Sequence, residues 1–153
     1  MAVSSALILL LTLASCGEKV TPEAKRLVRY LEQIPLMEQN RIGNPLDEWD
    51  STAEGFARQT KNYEHFIRLL KLIQPKSEDL RPLHERFVAA NEHRLFAWND
   101  FLGQYEGPEL VIRMDSYNQS MADADSLFAS FYSELRAKCE EYEVPIPPCL
   151  PER

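Results

Sequence analysis

Apolar residues recur along this chain at alternating steps of three and four, the spacing that lays them on one face of a helix. The first run holds Ala24, Leu27, Leu31 and Ile34. Thr21-Pro22-Glu23 introduces it: a capping residue, a proline at the first helical position, and an acid in the first turn. Pro35 breaks or kinks this first helix, and Leu36 to Ile42 add a turn or two before Gly43 ends it. Asn44-Pro45 repeats the start signal. Behind it Leu46, Trp49, Ala53, Phe56, Thr60, Tyr63, Ile67 and Leu70 form a seam long enough to predict an extended second helix, closed by Gln74-Pro75. Gly55 inside it costs about 1 kcal/mol relative to alanine, tolerable at this length.

Ser77 or Asp79 is placed to cap a third helix, with Pro82 in or close to its first turn. Leu80, Leu83, Phe87, Ala90, Ala97 and Phe101 make one stripe, and Val88, Leu95, Trp98 and Leu102 a second beside it. So broad an apolar face predicts the most buried helix of the set. After Gly103 and Gly107-Pro108, the fourth helix reads Leu110, Met114, Tyr117, Met121, Ala124, Phe128, Phe131, Leu135 and Tyr142. No segment alternates with period two, and the glycines cluster between helices, which argues against a sheet. Four amphipathic helices on short connections predict an all-α fold, an antiparallel four-helix up-down bundle. Seams this regular also suit a coiled-coil dimer, but connections of a few residues favour packing within one chain first.

At 153 residues, the size suits one domain with one core. The formal net charge of −7 makes nucleic acid a poor partner, because that affinity comes from Lys and Arg neutralising phosphates. The aromatic residues on the seams are read as core, whereas Phe96 and Tyr132 fall off them and are expected to face outward as a partner surface.

The beginning of the chain changes the picture. Ala6 to Leu13 is an apolar run of signal-peptide length, too short to span a bilayer. It ends in Leu13-Ala14-Ser15-Cys16, which resembles the lipobox of bacterial lipoproteins at all four positions. The segment Met1 to Ser5 departs from the usual signal in carrying no Lys or Arg. The resemblance implies cleavage before Cys16, a diacylglyceryl group on its thiol, and acylation of the new amino terminus. Residues 1–15 are then the signal peptide, 16–20 a lipidated terminus and short tether, and 21–153 the helical domain with its tail. Two or three acyl chains make such anchoring durable where one holds marginally. The bilayer is the first expected partner, and the bacterial cell envelope the expected location. Gly17, where an Asp favours inner-membrane retention in lipoproteins of enteric bacteria, favours the periplasmic face and the outer membrane.

Once Cys16 is lipidated, Cys139 and Cys149 remain, an even number in a compartment where disulfides persist. A bridge between them would staple the proline-rich tail Val144-Pro145-Ile146-Pro147-Pro148 against the last helix, adding at best about 3 kcal/mol by chain entropy. Two free thiols are the other possibility.

No motif for catalysis or metal stands out. Residues three before His65, His84 and His93 are Asn62, Arg81 and Ala90, so the Glu-x-x-His pair of metal-holding bundles is missing, and the histidines are read as surface or half-buried. There is no Gly-x-Ser-x-Gly elbow, no Cys-x-x-Cys-His and no His-Glu-x-x-His. The chain is therefore expected not to be an enzyme and to carry no cofactor. Asp47-Glu48-Asp50 and Glu140-Glu141-Glu143 are read as solvated acids at helix ends.

Two features carry binding chemistry. Lys25, Arg26 and Arg29, near the anchor, offer contacts to anionic headgroups, or else an ordinary polar helix face. Asn91 and Arg94 sit among the apolar stripes of the third helix; a buried Arg must be paired or line a cleft, and Arg94, Trp98 and Phe101 are the candidate lining. The leading expectation is a non-enzymatic, membrane-tethered module that binds or scaffolds another envelope protein. Its architecture is similar to that of some small helical pilot lipoproteins of secretion systems, without a residue match. The alternative is a carrier or sensor of a small apolar ligand held within the bundle.

Overall fold

A computed structural model describes residues 20–34, 53–103 and 110–147. Within them lie four helices, α1 (Pro22–Gln33), α2 (Ala53–Leu72), α3 (Arg81–Gly103) and α4 (Leu110–Glu141), and no strand. The expected Leu36–Ile42 extension and the Asn44-Pro45 start signal lie outside the described residues, as do the acids at 47, 48 and 50.

Local chemistry sets the helix ends. Thr21 is extended, and its Oγ1 accepts from the Ala24 amide at 3.1 Å, satisfying one of the orphan donors of the first turn. α1 stops at Ile34, again extended, because the following proline crowds the helical conformation of its predecessor. Beyond α2 the chain turns through residues 77–80, where the Leu80 amide donates to the Ser77 carbonyl at 3.2 Å and the Ser77 hydroxyl to the Asp79 carboxylate. Asp79 also reaches α4, accepting from Tyr142 Oη at 2.8 Å and Lys138 Nζ at 3.3 Å.

The end of α4 is closed by two reversed hydrogen bonds. The Val144 amide donates to the Cys139 carbonyl at 2.8 Å, and the Glu143 amide to the Glu140 carbonyl at 3.3 Å. This is the Schellman arrangement, which needs a left-handed residue between them, and Glu143 has φ 55°. Its Cβ is unfavourable there, so Glu143→Gly is expected to raise stability by about 1 kcal/mol in denaturant unfolding. An unchanged or lowered midpoint would mean that the carboxylate makes up the difference. Val144 turns in beside buried Cys139, the apolar contact that usually accompanies this cap.

α3 packs against both α2 and α4. Along α3 and α4, Asp79 meets Lys138, Arg86 meets Glu134 and Arg94 meets Asp125, so rising numbers on one side meet falling numbers on the other and the pair is antiparallel. Tyr63 meets Trp98 while Leu70 meets His84, so α2 and α3 are antiparallel as well. One core joins all four helices. From α1 it takes Ala24, Leu27, Val28, Tyr30 and Ile34; from α2, Tyr63, Phe66, Ile67 and Leu70. α3 adds Leu83, Phe87, Ala90 and Trp98, and α4 Ala124, Phe128, Phe131, Leu135 and Cys139. Tyr132 does not face outward: it is half-buried, its ring stacked on Phe128 at 6.1 Å and edge-on to Phe131 at 5.3 Å. An aromatic ring one position off the seam still reaches its neighbours on the next turn.

Candidate functional site

Two polar clusters are buried in this apolar core. In the first, Tyr63 Oη donates to Asn91 Oδ1 at 2.5 Å, and Asn91 Nδ2 donates to the Phe87 carbonyl at 2.7 Å. The carbonyl only accepts, so it fixes which end of the amide faces it and leaves Oδ1 for the tyrosine. Asn91 is fully buried, and both its polar atoms are satisfied. Burial pushes the Tyr63 hydroxyl far above its ordinary range, and the nearby Arg94 cation opposes this only in part. Arg94 lays its guanidinium over the Phe128 ring, 4.4 Å from the centroid, and Nη2 donates to Asp125 at 3.2 Å. Its Nε is buried without a partner among the described residues.

Of the three residues expected to line a cleft, Trp98 is buried with its ring 4.9 Å from Tyr63, and Arg94 is paired and stacked as described. The side chain of Phe101 lies outside the described residues. Arg94 and Trp98 are therefore brought together around Tyr63 as packed neighbours in the α2–α3–α4 interface.

The second cluster centres on His84, which is 5% exposed. Its Nε2 lies 3.1 Å from the Leu70 carbonyl and its Nδ1 3.3 Å from Tyr30 Oη. A carbonyl accepts only, so Nε2 carries the hydrogen; in the neutral ring Nδ1 then accepts from the tyrosine. One imidazole thus ties α1, the end of α2 and the start of α3. The rings of Tyr30 and His84 meet edge-on at 5.7 Å. Nothing in the local sequence marked this histidine beyond its place in the stripe Leu80, His84, Phe87, Asn91, whose steps of four, three and four put two polar residues on a buried face.

Burial holds the His84 pKa below the ordinary 6.5, more strongly than the Leu70 hydrogen bond raises it. The unfolded chain therefore takes up a proton before the folded one does. Stability is full above about pH 6.5 and is lost as pH falls through the folded value. We expect denaturant midpoints to decline between pH 7 and pH 5, and the decline to vanish in His84→Gln; a flat profile in the native protein would contradict the buried neutral ring. A separate loss begins lower. The Ser77 hydroxyl, with Tyr142 and Lys138, holds Asp79 at about 2 against an ordinary 3.8, so its contribution disappears as pH falls between those values. Asp79 is partly exposed, which keeps that contribution small.

Next to His84 a groove of about 610 Å³ runs between the end of α2 and α3, lined by Lys71, Ile73, Arg81, Glu85, Val88 and Glu92 among others. Lys71 and Glu92 pair across it at 2.5 Å. On the other side of the Gln74-Pro75 link lies a smaller notch of about 130 Å³, lined by Arg26, Arg29 and Tyr30 of α1 and by Lys76. Of the three expected headgroup contacts, all exposed, it gathers Arg26 and Arg29 but not Lys25. The contribution of Lys76 is invisible in sequence because it comes from a distant link.

Among the described residues Cys139 forms no disulfide; as a thiol it is buried, and burial pushes its pKa up to about 11, which makes it a poor nucleophile at neutral pH. Cys16 and Cys149 lie outside the described residues. Among the described residues no group of three or more His, Cys, Asp or Glu side chains is arranged to hold a metal, and no helix is long and apolar enough to cross a membrane. The described chain thus defines an all-helical protein with polar ties buried in a single core. No family model, curated protein or solved structure matches it.

Proposed function

We propose that this protein is a lipid-anchored, non-enzymatic module of the bacterial cell envelope that binds or scaffolds another envelope protein through a helical face. The observation that carries the reading is Leu13-Ala14-Ser15-Cys16 at the end of the apolar run Ala6 to Leu13. Five residues separate Cys16 from Pro22, six residue steps that span at most roughly 22 Å when fully extended, so the acyl chains would hold α1 close to the bilayer. A capped, well-packed helical domain directly behind the tether suits a module that presents a fixed surface. Leu69 and Leu72, three apart on α2 and 48% and 76% exposed, and Phe96 on α3, 59% exposed, offer apolar contact points for a protein partner. In this reading α1 completes an up-down order of all four helices, and Cys139 pairs with Cys149 to staple the tail.

One intact-mass measurement on protein recovered from membranes tests the anchor and the staple together. The expected result is a chain beginning at Cys16, heavier by diacylglyceryl and acyl groups, which partitions into detergent and loses that behaviour in Cys16→Ala. In denaturant, Cys139 and Cys149 should resist alkylation until reductant is added. An unmodified chain in the aqueous phase would overturn the anchor, and free alkylation before reduction would overturn the staple.

A further inference from the structure

We propose that the notch between α1 and the link after α2 binds a phosphate group, with Arg26, Arg29 and Lys76 as its cationic contacts. Arg26 and Arg29 stand three apart in α1 and so share a face; the link brings Lys76 to them across some fifty residues of sequence. Gln33 and Gln74 add amide donors, and among the described residues no carboxylate lines the notch. This is unexpected in a chain with 24 acids to 17 Lys and Arg. Elsewhere on the described surface several cations are paired with acids: Lys71 with Glu92, Arg86 with Glu134, Lys138 with Asp79. None of the ion pairs among the described residues takes up Arg26, Arg29 or Lys76.

Three cations held around one small space repel each other until an anion enters. A planar guanidinium matches phosphate oxygens two at a time, whereas lysine supplies a mobile point charge. The walls are set in advance of binding. Tyr30 is buried and held by His84, Leu80 is buried, and Ser77 is tied to Asp79, which is itself bonded to α4. A floor already in place loses little in ordering, so the ordering cost falls on the exposed Arg26, Arg29 and Lys76 side chains. Lys25, one residue before Arg26, stays outside the lining and separates a true site from a general positive field.

The phosphate has two possible sources, an anionic phospholipid headgroup or a free phosphate. Only the first rests on the membrane-tethered reading. The test uses the mature chain in dodecyl maltoside micelles, titrated separately with inorganic phosphate, dihexanoyl phosphatidylglycerol and dihexanoyl phosphatidylcholine, and followed by amide chemical shifts. Saturable shifts are expected at Arg26, Arg29 and Lys76. Arg29→Gln and Lys76→Gln should each weaken binding about fivefold or more, and Lys25→Gln should change it by less than about twofold. Phosphatidylglycerol displacing phosphate, with phosphatidylcholine inert, assigns the site to headgroups; saturation by inorganic phosphate alone assigns it to a free phosphate. Absence of saturation with every probe, or equal weakening by Lys25→Gln, overturns the site. A chain without lipid on Cys16 would overturn the headgroup source and leave the free-phosphate arm to stand or fall by itself.

Discussion

Phe87→Ala is expected to destabilise the protein by about 4 kcal/mol, the largest effect of any single truncation considered. Phe87 is fully buried in the first third of α3, the helix that contacts both α2 and α4. Its ring stacks on Phe131, 4.4 Å between centroids and 26° between planes, and meets Phe128 edge-on at 6.0 Å. Truncation removes the transfer energy of the ring, both aromatic contacts and the support of the α3–α4 interface, leaving a cavity whose walls are long helices that cannot collapse inward. Against a total stability of about 5–15 kcal/mol for a domain, this is a severe loss, with a fall in Tm on the order of 15 °C. Chemical denaturation followed by circular dichroism measures it. Phe96→Ala on the same helix is the control: its ring is mostly exposed, and the change should stay within about 0.5 kcal/mol. Similar midpoints for the two variants would refute this packing of α3.

The second large effect is expected at Asn91. Asn91→Ala leaves the buried Tyr63 hydroxyl without its acceptor and the Phe87 carbonyl without the side-chain donor, and opens a small void besides, at a cost of about 3 kcal/mol. The direction of rescue tests the mechanism. Asn91→Leu should be nearly as harmful alone, because the hydroxyl is still stranded. Combining it with Tyr63→Phe removes both polar partners, and the double variant should be more stable than Asn91→Leu by about 1 kcal/mol or more. If the two losses simply add, Tyr63 and Asn91 are not coupled and the hydrogen bond contributes little.

The buried polar residues explain why a chain with such regular apolar seams settles into one arrangement. Leu and Phe at three-four spacing pack acceptably in several registers, which is why the same pattern also suits a coiled-coil dimer. A tyrosine that must find an asparagine, and a histidine that must find one carbonyl and one hydroxyl, are satisfied in one register only. A slip of α2 along α3 by a single turn would strand these groups in apolar surroundings, at a cost of about 1–3 kcal/mol each.

Much of the fold was legible in the residue pattern because helix formation and capping depend on neighbours three and four apart. Thr21 and Pro22 began α1, Ile34 before Pro35 ended it, and Tyr63, Ile67, Leu70, Leu83, Phe87, Ala124, Phe128, Phe131 and Leu135 are buried where their seams put them. The broad α3 stripe belongs to the helix that packs against both α2 and α4. The seams passed over Val28, Tyr30, Phe66, His84 and Cys139, which lie beside or between the chosen stripes. A helix surrounded by several neighbours buries more than one narrow face. Asp79, read as a possible cap, reaches α4 instead, and the outward Tyr132 turned in, because both find partners on other turns or helices.

The sequence by itself determined the helices, their principal inward faces and the acidic character of the surface, all properties of local spacing and composition. Only the tertiary structure decided that His84 would join three helices, that Asn91 would meet Tyr63 of α2 and Arg94 would meet Asp125 and Phe128 of α4, and that Lys76 would stand beside Arg26 and Arg29. Those meetings depend on how helices pack, and the free energy that selects them comes from burial shared across the whole core rather than from any neighbouring residue.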